Sequence, residues 1–473
     1  MASTVSTIEG ISEEALGEFR MQLRGQALTP ADPGYGEVRP PFNAMHRDRP
    51  SLVVLCAGTA DVVDAVGFAR QHGVEVTVRG GGHSIAGLSA SDGGLVIDLA
   101  PMNGVWIDRD ASLAHVQGGA LWGDVDRESQ LYGLATPGGM ISDTGVGGLT
   151  LGGGIGWLRR KHGLSCDNVV SAEVVGANGE VRVASKDTNP DLLWALKGGG
   201  GNFGIVTRFA FQLHPVGPIV GFAGVFYPVE DMASVLRGFR DYVETAPDEV
   251  TPVALSITMP AAPHLPEPIH DRACLVVGAV YTGDPNEGMQ VLHPLRELGT
   301  PLADISQPMP YRIVQSAFDP LFPRQHFRSY WKSTFLSELP DEVIDIAAAR
   351  SQDRPAPIAS VIVWPMGGAV SRVGEDESSF GERSAQYMVS MECNSDDAGE
   401  MDSKIAWVRE SWSQIAEFGT GSTYLNFTGI VDEGSQTGVS DAFGAKLERL
   451  AKIKAKYDPD NFFRRNNNIA PAA

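Results

Sequence analysis

The chain has 473 residues, too many for one ordinary hydrophobic core, so two domains are expected. Its 43% hydrophobic and 20% charged residues describe a globular protein, and a formal charge of −21 speaks against nucleic acid or an anionic membrane as partner. No apolar run reaches bilayer-spanning length, and the opening Met1-Ala2-Ser3-Thr4-Val5-Ser6 has neither the basic nor the apolar stretch of a signal peptide.

Residues 11–25 read as a short helix, followed by a Pro- and Gly-rich leader from Pro30 to Pro41. Pro50–Leu55 reads as a strand. Thr59 is placed to cap a helix over Ala60–Gln71, which stops at His72-Gly73. Val74–Val78 then alternates as a half-buried strand does. This β-α-β unit runs straight into Arg79-Gly80-Gly81-Gly82-His83-Ser84. Consecutive glycines leave backbone N–H groups bare and free to take φ > 0, so the loop can wrap a phosphate. His83 adds a nucleophilic imidazole to the same loop, which suggests a tethered cofactor. Leu95–Leu99 and Leu113–Gln117 follow as strands, and a helix begins near Leu121.

From Pro137 to Trp157 the chain is glycine-dense again: PGGMISDTGVGGLTLGGGIGW. Each glycine costs conformational entropy, so neither an ordinary helix nor a central strand is expected there. Ile141, Val146, Leu149, Leu151, Ile155 and Trp157 lie between the glycines and speak against a flexible linker. A loop pressed against a flat ligand fits better. Glu173–Val183 is a hairpin turning at Asn178-Gly179. A helix through Leu192–Leu196 leads into Gly198–Gly201 and then into a strand from Phe203 onward. Pro215 to Pro218 marks a boundary, beyond which the glycine clusters cease and the helices lengthen. There is no internal repeat and no low-complexity tract.

Gly199-x-Gly201-x-x-Gly204 matches the dinucleotide fingerprint literally, but a helix precedes it and a strand follows. That reverses the context a pyrophosphate-binding helix needs, so a Rossmann site is rejected. His162, in Arg159-Arg160-Lys161-His162-Gly163, reads as part of a solvated basic helix end, and Cys166 as a packed thiol. Cys56, Cys166, Cys274 and Cys393 form no CxxC, which speaks against metal or disulfide frameworks and for a reduced, cytoplasmic protein.

Three blocks carry a resemblance: the strand with RGGGHS, the run TPGGMISDTGVGGLTLGGGIGWLRRKHGLSCDNV, and ALKGGGGNFGIVT. They resemble the flavin domain of the vanillyl-alcohol-oxidase/p-cresol-methylhydroxylase superfamily. Within it, the berberine-bridge-enzyme-like group is most similar, including bacterial oxidases of the 6-hydroxynicotine oxidase type. Tyr457-Asp458-Pro459-Asp460-Asn461-Phe462-Phe463-Arg464-Arg465-Asn466-Asn467-Asn468-Ile469 resembles that group's C-terminal return to the flavin. The likeness covers roughly residues 46–215 and 420–470.

The resemblance implies an α+β fold. A p-cresol-methylhydroxylase-type FAD domain would span residues 1–215 (core 46–215), completed by a return over 421–473. A substrate domain with an antiparallel sheet backed by helices would occupy 216–420. It implies FAD joined through its 8α-methyl to a ring nitrogen of His83, a tether that favours hydride acceptance. The implied cofactor contacts are Arg79, Gly80, Gly81, Gly82, His83, Ser84, Gly87, Gly138, Gly139, Thr144, Gly147, Gly148, Gly152, Gly153, Gly156, Trp157, Ile205, Val206, Asn426, Asn466 and Asn468. Where some members carry a second, cysteinyl link, this chain has Ile141, so one covalent bond is expected. Thr144 falls at the position that influences oxygen access. Its size, close to that of valine, favours an oxidase, though its hydroxyl leaves this open.

Tyr424-Leu425-Asn426-Phe427 resembles the family's Tyr-x-Asn-(Tyr/Phe) strand, in which alternation puts Tyr424 and Asn426 on one face. Tyr424 is then the candidate base if its pKa is lowered, the bland alternative being a structural tyrosine. Ile85 and Leu149 stand where some members carry a tyrosine and a histidine, which speaks against berberine-type ring closure. His326-Phe327-Arg328-Ser329-Tyr330-Trp331-Lys332 is the candidate for substrate lining, chiefly through His326, Arg328 and Tyr330, and a packed strand with a solvated edge fits it equally well. The implied reaction takes a hydride from a CH–OH or CH–NH centre of a small molecule and returns the electrons to O₂ as H₂O₂. A dehydrogenase using another acceptor, or a flavin-carrying binding protein, are the rivals.

Overall fold

A computed structural model describes residues 11–38, 40–263, 265–355, 357–429 and 435–473; the opening residues Met1–Ser6 lie outside them. The first sheet has four strands in the order Gln26–Leu28, Leu52–Leu55, Leu95–Asp98, Val76–Arg79. Leu95–Asp98 runs parallel to both of its neighbours. The crossover between two of these strands is the helix Thr59–His72, which ends on Gly73 in the left-handed region at φ 64°. Leu52, Val54, Val62, Ala65, Val66, Leu95 and Ile97 are buried between helix and sheet. Thr59 is the first residue of this helix rather than its cap. Gly58 precedes the helix, and the Thr59 hydroxyl instead donates to Glu173 Oε1 at 2.8 Å.

A second sheet of five antiparallel strands follows the order Val105–Asp108, Leu113–Gln117, Ile205–Gln212, Val169–Val175, Val181–Ser185. Its last hairpin turns at Asn178-Gly179, with Gly179 at φ 77°. A third, eight-stranded antiparallel sheet takes its strands from Ile219–Pro228 through Tyr387–Ser395. The helices Met232–Thr245, Asp341–Gln352 and Met401–Ala416 cover one face of it. Period-two alternation sends Val225, Tyr227, Tyr330 and Cys393 to the helices. Phe222, Phe226, Trp364 and Met388 go to the opposite face, against Ile155, Trp157 and Leu158 from the glycine-rich half.

Three local expectations are corrected. The stretch 137–157 is not wholly loop, because Val146–Leu151 is a short helix. Its glycines serve close approach: a Cβ on Gly147 would press on the Gly118 carbonyl at 3.0 Å. Tyr424-Leu425-Asn426-Phe427 is not a strand, since Leu425–Phe427 is a 3₁₀ turn. Tyr424 and Asn426 nonetheless face the same way, and their side chains meet at 2.8 Å. The basic stretch at His162 is not solvated. Arg159 is fully buried, with Nε, Nη1 and Nη2 donating to the carbonyls of Pro365, Gly156 and Pro252 at 2.8, 3.1 and 2.6 Å. His162 stacks on His214 with ring centroids 3.9 Å apart, and burial pushes its pKa down to about 3.

Candidate functional site

The glycine loops and the apolar face of the large sheet enclose a cleft. Its walls include Gly80–Ile85, Thr144, Gly145, Gly147, Gly148, Gly152, Gly200 and Gly201 from the glycine-rich half and Asn466 from the C-terminal segment. Trp331, Trp364, Glu392, Tyr424 and Phe427 complete it from the large sheet and the Tyr424 turn. The loops that form it touch backbone to backbone. A Cβ on Gly81 would collide with Gly145, and one on Gly145 with Gly81, while Gly148 faces open space. Gly82 sits at φ 69°, where an L side chain is strained.

His83 borders the cleft, its ring stacked on Phe42 at 3.7 Å and 19°. Its Nε2 lies 3.5 Å from Asp143 Oδ1, and each of these buried atoms lacks a hydrogen-bond partner. The other Asp143 oxygen accepts from Arg324 Nε at 2.9 Å, and Arg324 Nη2 donates to the carbonyls of Gly81 and Asp143 at 2.6 and 2.9 Å. Burial alone raises the Asp143 carboxyl, but His83 and Arg324 beside it hold it below the usual carboxylate range.

Tyr424 is 2% exposed, and its hydroxyl oxygen accepts from Gly154 N–H at 3.1 Å and Asn426 Nδ2 at 2.8 Å. Burial nevertheless pushes its pKa up to about 12, opposite to the lowering a tyrosine base requires. Glu392 is the other titratable group on the sheet side of the cleft. It pairs with Trp331 on one neighbouring strand and Ser360 on the other. Ser390 Oγ donates to its Oε1 at 2.9 Å and itself accepts from Trp364 Nε1 at 3.0 Å. Burial pushes the Glu392 pKa up to about 7, the Ser390 bond offsetting only part of the shift.

The structure brings most of the sequence candidates to this cleft and leaves others behind it. Gly80, Gly81, Gly82, His83, Ser84, Gly139, Thr144, Gly147, Gly148, Gly152, Ile205, Val206, Tyr424, Asn426 and Asn466 line it, and so does Ile141. Arg79 instead supports the loop from behind, paired with Asp98 at 3.5 Å and bonded to the carbonyls of Ser89 and Val38. Gly87 packs on the His46 ring, Gly138 on Trp122, Gly153 on Phe380, and Gly156 on the Gly138 carbonyl. Trp157 is buried in the apolar layer between the two halves. Asn468 Oδ1 is buried without a partner.

Two of the substrate candidates, Arg328 and Tyr330, take the strand phase that faces away from the cleft, and His326 lies ahead of the strand. His326 is exposed, Arg328 donates to the Asp396 carbonyl, and Tyr330 is buried under the helices beside Arg409. Trp331, one residue on, faces the cleft. Glu392, Trp364 and the Asp143–Arg324 pair escaped the sequence reading, whereas Trp331 lay inside its candidate segment without being singled out. A glutamate inside the apolar run Tyr387-Met388-Val389-Ser390-Met391-Glu392-Cys393 was the available signal.

The lining suits a dinucleotide. Its glycine loops bring bare backbone up to the cleft, and the buried Asn466 Oδ1 beside it has no protein partner. Comparison with known proteins agrees. The family model described as "FAD binding domain" matches residues 50–185, and that described as "Berberine and berberine like" matches 423–470. An FAD-linked oxidoreductase of Dictyostelium discoideum is 30% identical over 464 residues, covering 97% of this chain and 97% of its own. (R)-6-Hydroxynicotine oxidase of Paenarthrobacter nicotinovorans is 28% identical, with 95% of this chain and 98% of that protein covered. The crystal structure of 6-hydroxy-D-nicotine oxidase from Arthrobacter nicotinovorans matches with a TM-score of 0.83 at 28% identity, covering 95% of this chain and 98% of that one. Among the described residues no helix is long and apolar enough to cross a membrane. The chain belongs to the berberine-bridge-enzyme-like FAD-linked oxidoreductases, built on the p-cresol-methylhydroxylase-type fold.

Proposed function

We propose that this chain is an oxidase that holds FAD in the cleft by a single tether to His83. It takes a hydride from a CH–OH or CH–NH centre of a small molecule and passes the electrons to O₂, giving H₂O₂. Bound FAD supplies the two-electron acceptor; the chain supplies placement and a proton acceptor. Gly80–Gly82, Gly147, Gly148 and Asn466 are positioned to hold the cofactor, and Ile141 offers no second nucleophile. Trp331, Trp364 and Phe427 form an apolar wall that would exclude water and grip a flat substrate.

The observation that carries this reading is Glu392, a buried carboxyl on the cleft wall with a pKa near 7. A base works best when its pKa lies near the operating pH. Tyr424, pushed up to about 12, is the poorer acceptor, so Glu392 takes the substrate proton. Tyr424 orients: with two N–H groups on its oxygen, its own O–H is free to donate into the cleft. Three residues after Ile141, Thr144 presents a small side chain beside the cofactor loops, which supports access of O₂.

The test is to mix the yellow protein anaerobically with a panel of cyclic secondary amines and benzylic alcohols, then admit air. The reading predicts bleaching by at least one of these and stoichiometric H₂O₂ on reoxidation. Bleaching that persists in air would make the chain a dehydrogenase. Absence of bleaching by both classes would contradict turnover of this kind.

A further inference from the structure

We propose that Asp126 and Gln315 form a latch across the boundary between the two halves of the cleft, held shut by a proton on Asp126 and released when that proton is lost to solvent. Asp126 lies on the helix Trp122–Ser129 and Gln315 on the helix Tyr311–Gln315, which pack against each other. Gln315 Nε2 donates to Asp126 Oδ2 at 2.9 Å. The other two oxygens of the pair, Asp126 Oδ1 and Gln315 Oε1, are buried and have no hydrogen-bond partner among the described residues. With the carboxyl ionised, both are acceptors without a donor, which is costly away from water. One proton removes both defects. On Oδ1 it gives the carboxyl a donor for Gln315 Oε1 and closes a ring of two hydrogen bonds. Burial acts in the same direction and raises the Asp126 pKa to about 7, with Gln315 and Arg312 opposing it and Asp319 adding to it. Tyr311 also acts on Asp126, but burial holds its phenol far above its ordinary value, so it stays neutral. Asp124, Arg127 and Glu128 of the same helix, and Asp108 and His115 of the strands packed on it, do not contribute.

The latch stands where it sets how tightly the cleft closes. The Asp126 helix is joined at its start to a cleft loop, Trp122 N–H donating to the Thr144 carbonyl at 3.0 Å and Gly123 N–H to the Ser142 carbonyl at 2.7 Å. Ile141 and Thr144 of that loop line the cleft. Beyond Gln315 the chain runs on to Phe318 and Phe322, which also line it. Between them, Asp319 accepts from Ser142 N–H at 2.8 Å and from Ser142 Oγ at 2.5 Å. With the latch released, that contact and Arg324 are left to hold these two walls together. Release exposes Asp126 to water, where its pKa returns to the ordinary carboxylate range, near 3.8. The closed form therefore binds the extra proton between about pH 4 and 7. Opening is promoted as pH climbs through that window and levels off above it, where the closed form has lost the proton too.

Asp126→Asn probes the latch because an asparagine offers Gln315 one acceptor and one donor at every pH, as the protonated acid does only while it keeps its proton. Amide hydrogen exchange of the holoenzyme is followed by mass spectrometry in peptides covering 311–322, for wild type and Asp126→Asn, from pH 5 to pH 8. Comparing the two chains at each pH cancels the intrinsic pH dependence of exchange. Peptides from the helix Met232–Thr245 serve as the distant control. At pH 5 the two should exchange alike. By pH 7 the wild type should exchange at least about tenfold faster over 311–322, with no further divergence at pH 8 and none in the control. A constant ratio across the range, or a variant less protected than wild type at pH 5, would overturn the proposal. An equal divergence in the control peptides would overturn it as well, because the proton would then stabilise the whole fold and not this segment. Should Asp126→Asn fail to fold, wild-type exchange over 311–322 measured against the unstructured synthetic peptide decides in the same way.

Discussion

At the scale of single residues, two ionisable groups in one cleft are both pushed up by their surroundings. Glu392 stands near 7 and Tyr424 near 12, both raised chiefly by burial. Flavin reduction should therefore rise with pH through about 7 and level off as Glu392 ionises. In Glu392→Gln the reduction step should slow by roughly 10²–10⁴-fold and lose that limb, as removal of a general base does. Stopped-flow reduction across pH 5–9 measures both effects; an unchanged profile would remove Glu392 from the chemistry. Stability moves the opposite way. A carboxyl whose pKa is raised on folding costs nothing below its unfolded value, near 4.5, and becomes destabilising as pH climbs to its folded value near 7. Glu392→Gln should accordingly be more stable than wild type above pH 7, by up to about 3 kcal/mol, with no difference at pH 4. Tyr424→Phe strips the acceptor from two N–H groups, so a loss of about 1–3 kcal/mol is expected in denaturant unfolding.

At the scale of elements, the glycines explain what the sequence could and could not reveal. The RGGGHS loop was legible because a strand, a glycine triplet and a histidine in that order have few other uses. The approach of Asp143 to His83 was not, because the two sit about 60 residues apart and meet through the Gly81–Gly145 backbone contact and the Arg324 bridge between the loops. Gly81→Ala should separate the loops at a cost of about 1–3 kcal/mol and weaken FAD retention on gel filtration. Gly148→Ala meets no protein atom, so it should leave the stability of the flavin-free chain unchanged while its methyl, on the cleft wall, weakens FAD retention. The strand Arg328–Leu336 shows a different limit. Alternation reveals that two faces exist but not which one meets the cleft, and choosing Arg328 and Tyr330 selected the helix side. Trp331→Ala should therefore raise the substrate KM at least tenfold, whereas Tyr330→Phe should leave it within about twofold. Equal effects of the two changes would mean the face is misassigned.

At the scale of the molecule, the cleft exists because the segments that build it are distant in sequence and are brought together by two independent layers. The glycine-rich half supplies Gly80–His83 and Gly145–Gly148, the eight-stranded sheet supplies Trp331, Trp364 and Glu392, and the C-terminal segment returns with Asn466. That return is fixed from within. Lys454 and Asp458 are fully buried together at 2.6 Å, and Lys454 Nζ also donates to the carbonyls of Asn202 and Phe463. The β-α-β unit, the hairpin at Asn178-Gly179 and the flavin-type glycine blocks were readable because their turns depend on local residue types. The pairing of strands from Ile219 onward depends on burial across long separations, and no local residue announces it. One FAD in this cleft, bonded once, through His83, is read most directly from the intact mass of the denatured protein. The expected mass is that of the chain plus one FAD less two hydrogens, falling to that of the bare chain in His83→Ala. A bare-chain mass for the wild type, or an adduct that survives in His83→Ala, would contradict it.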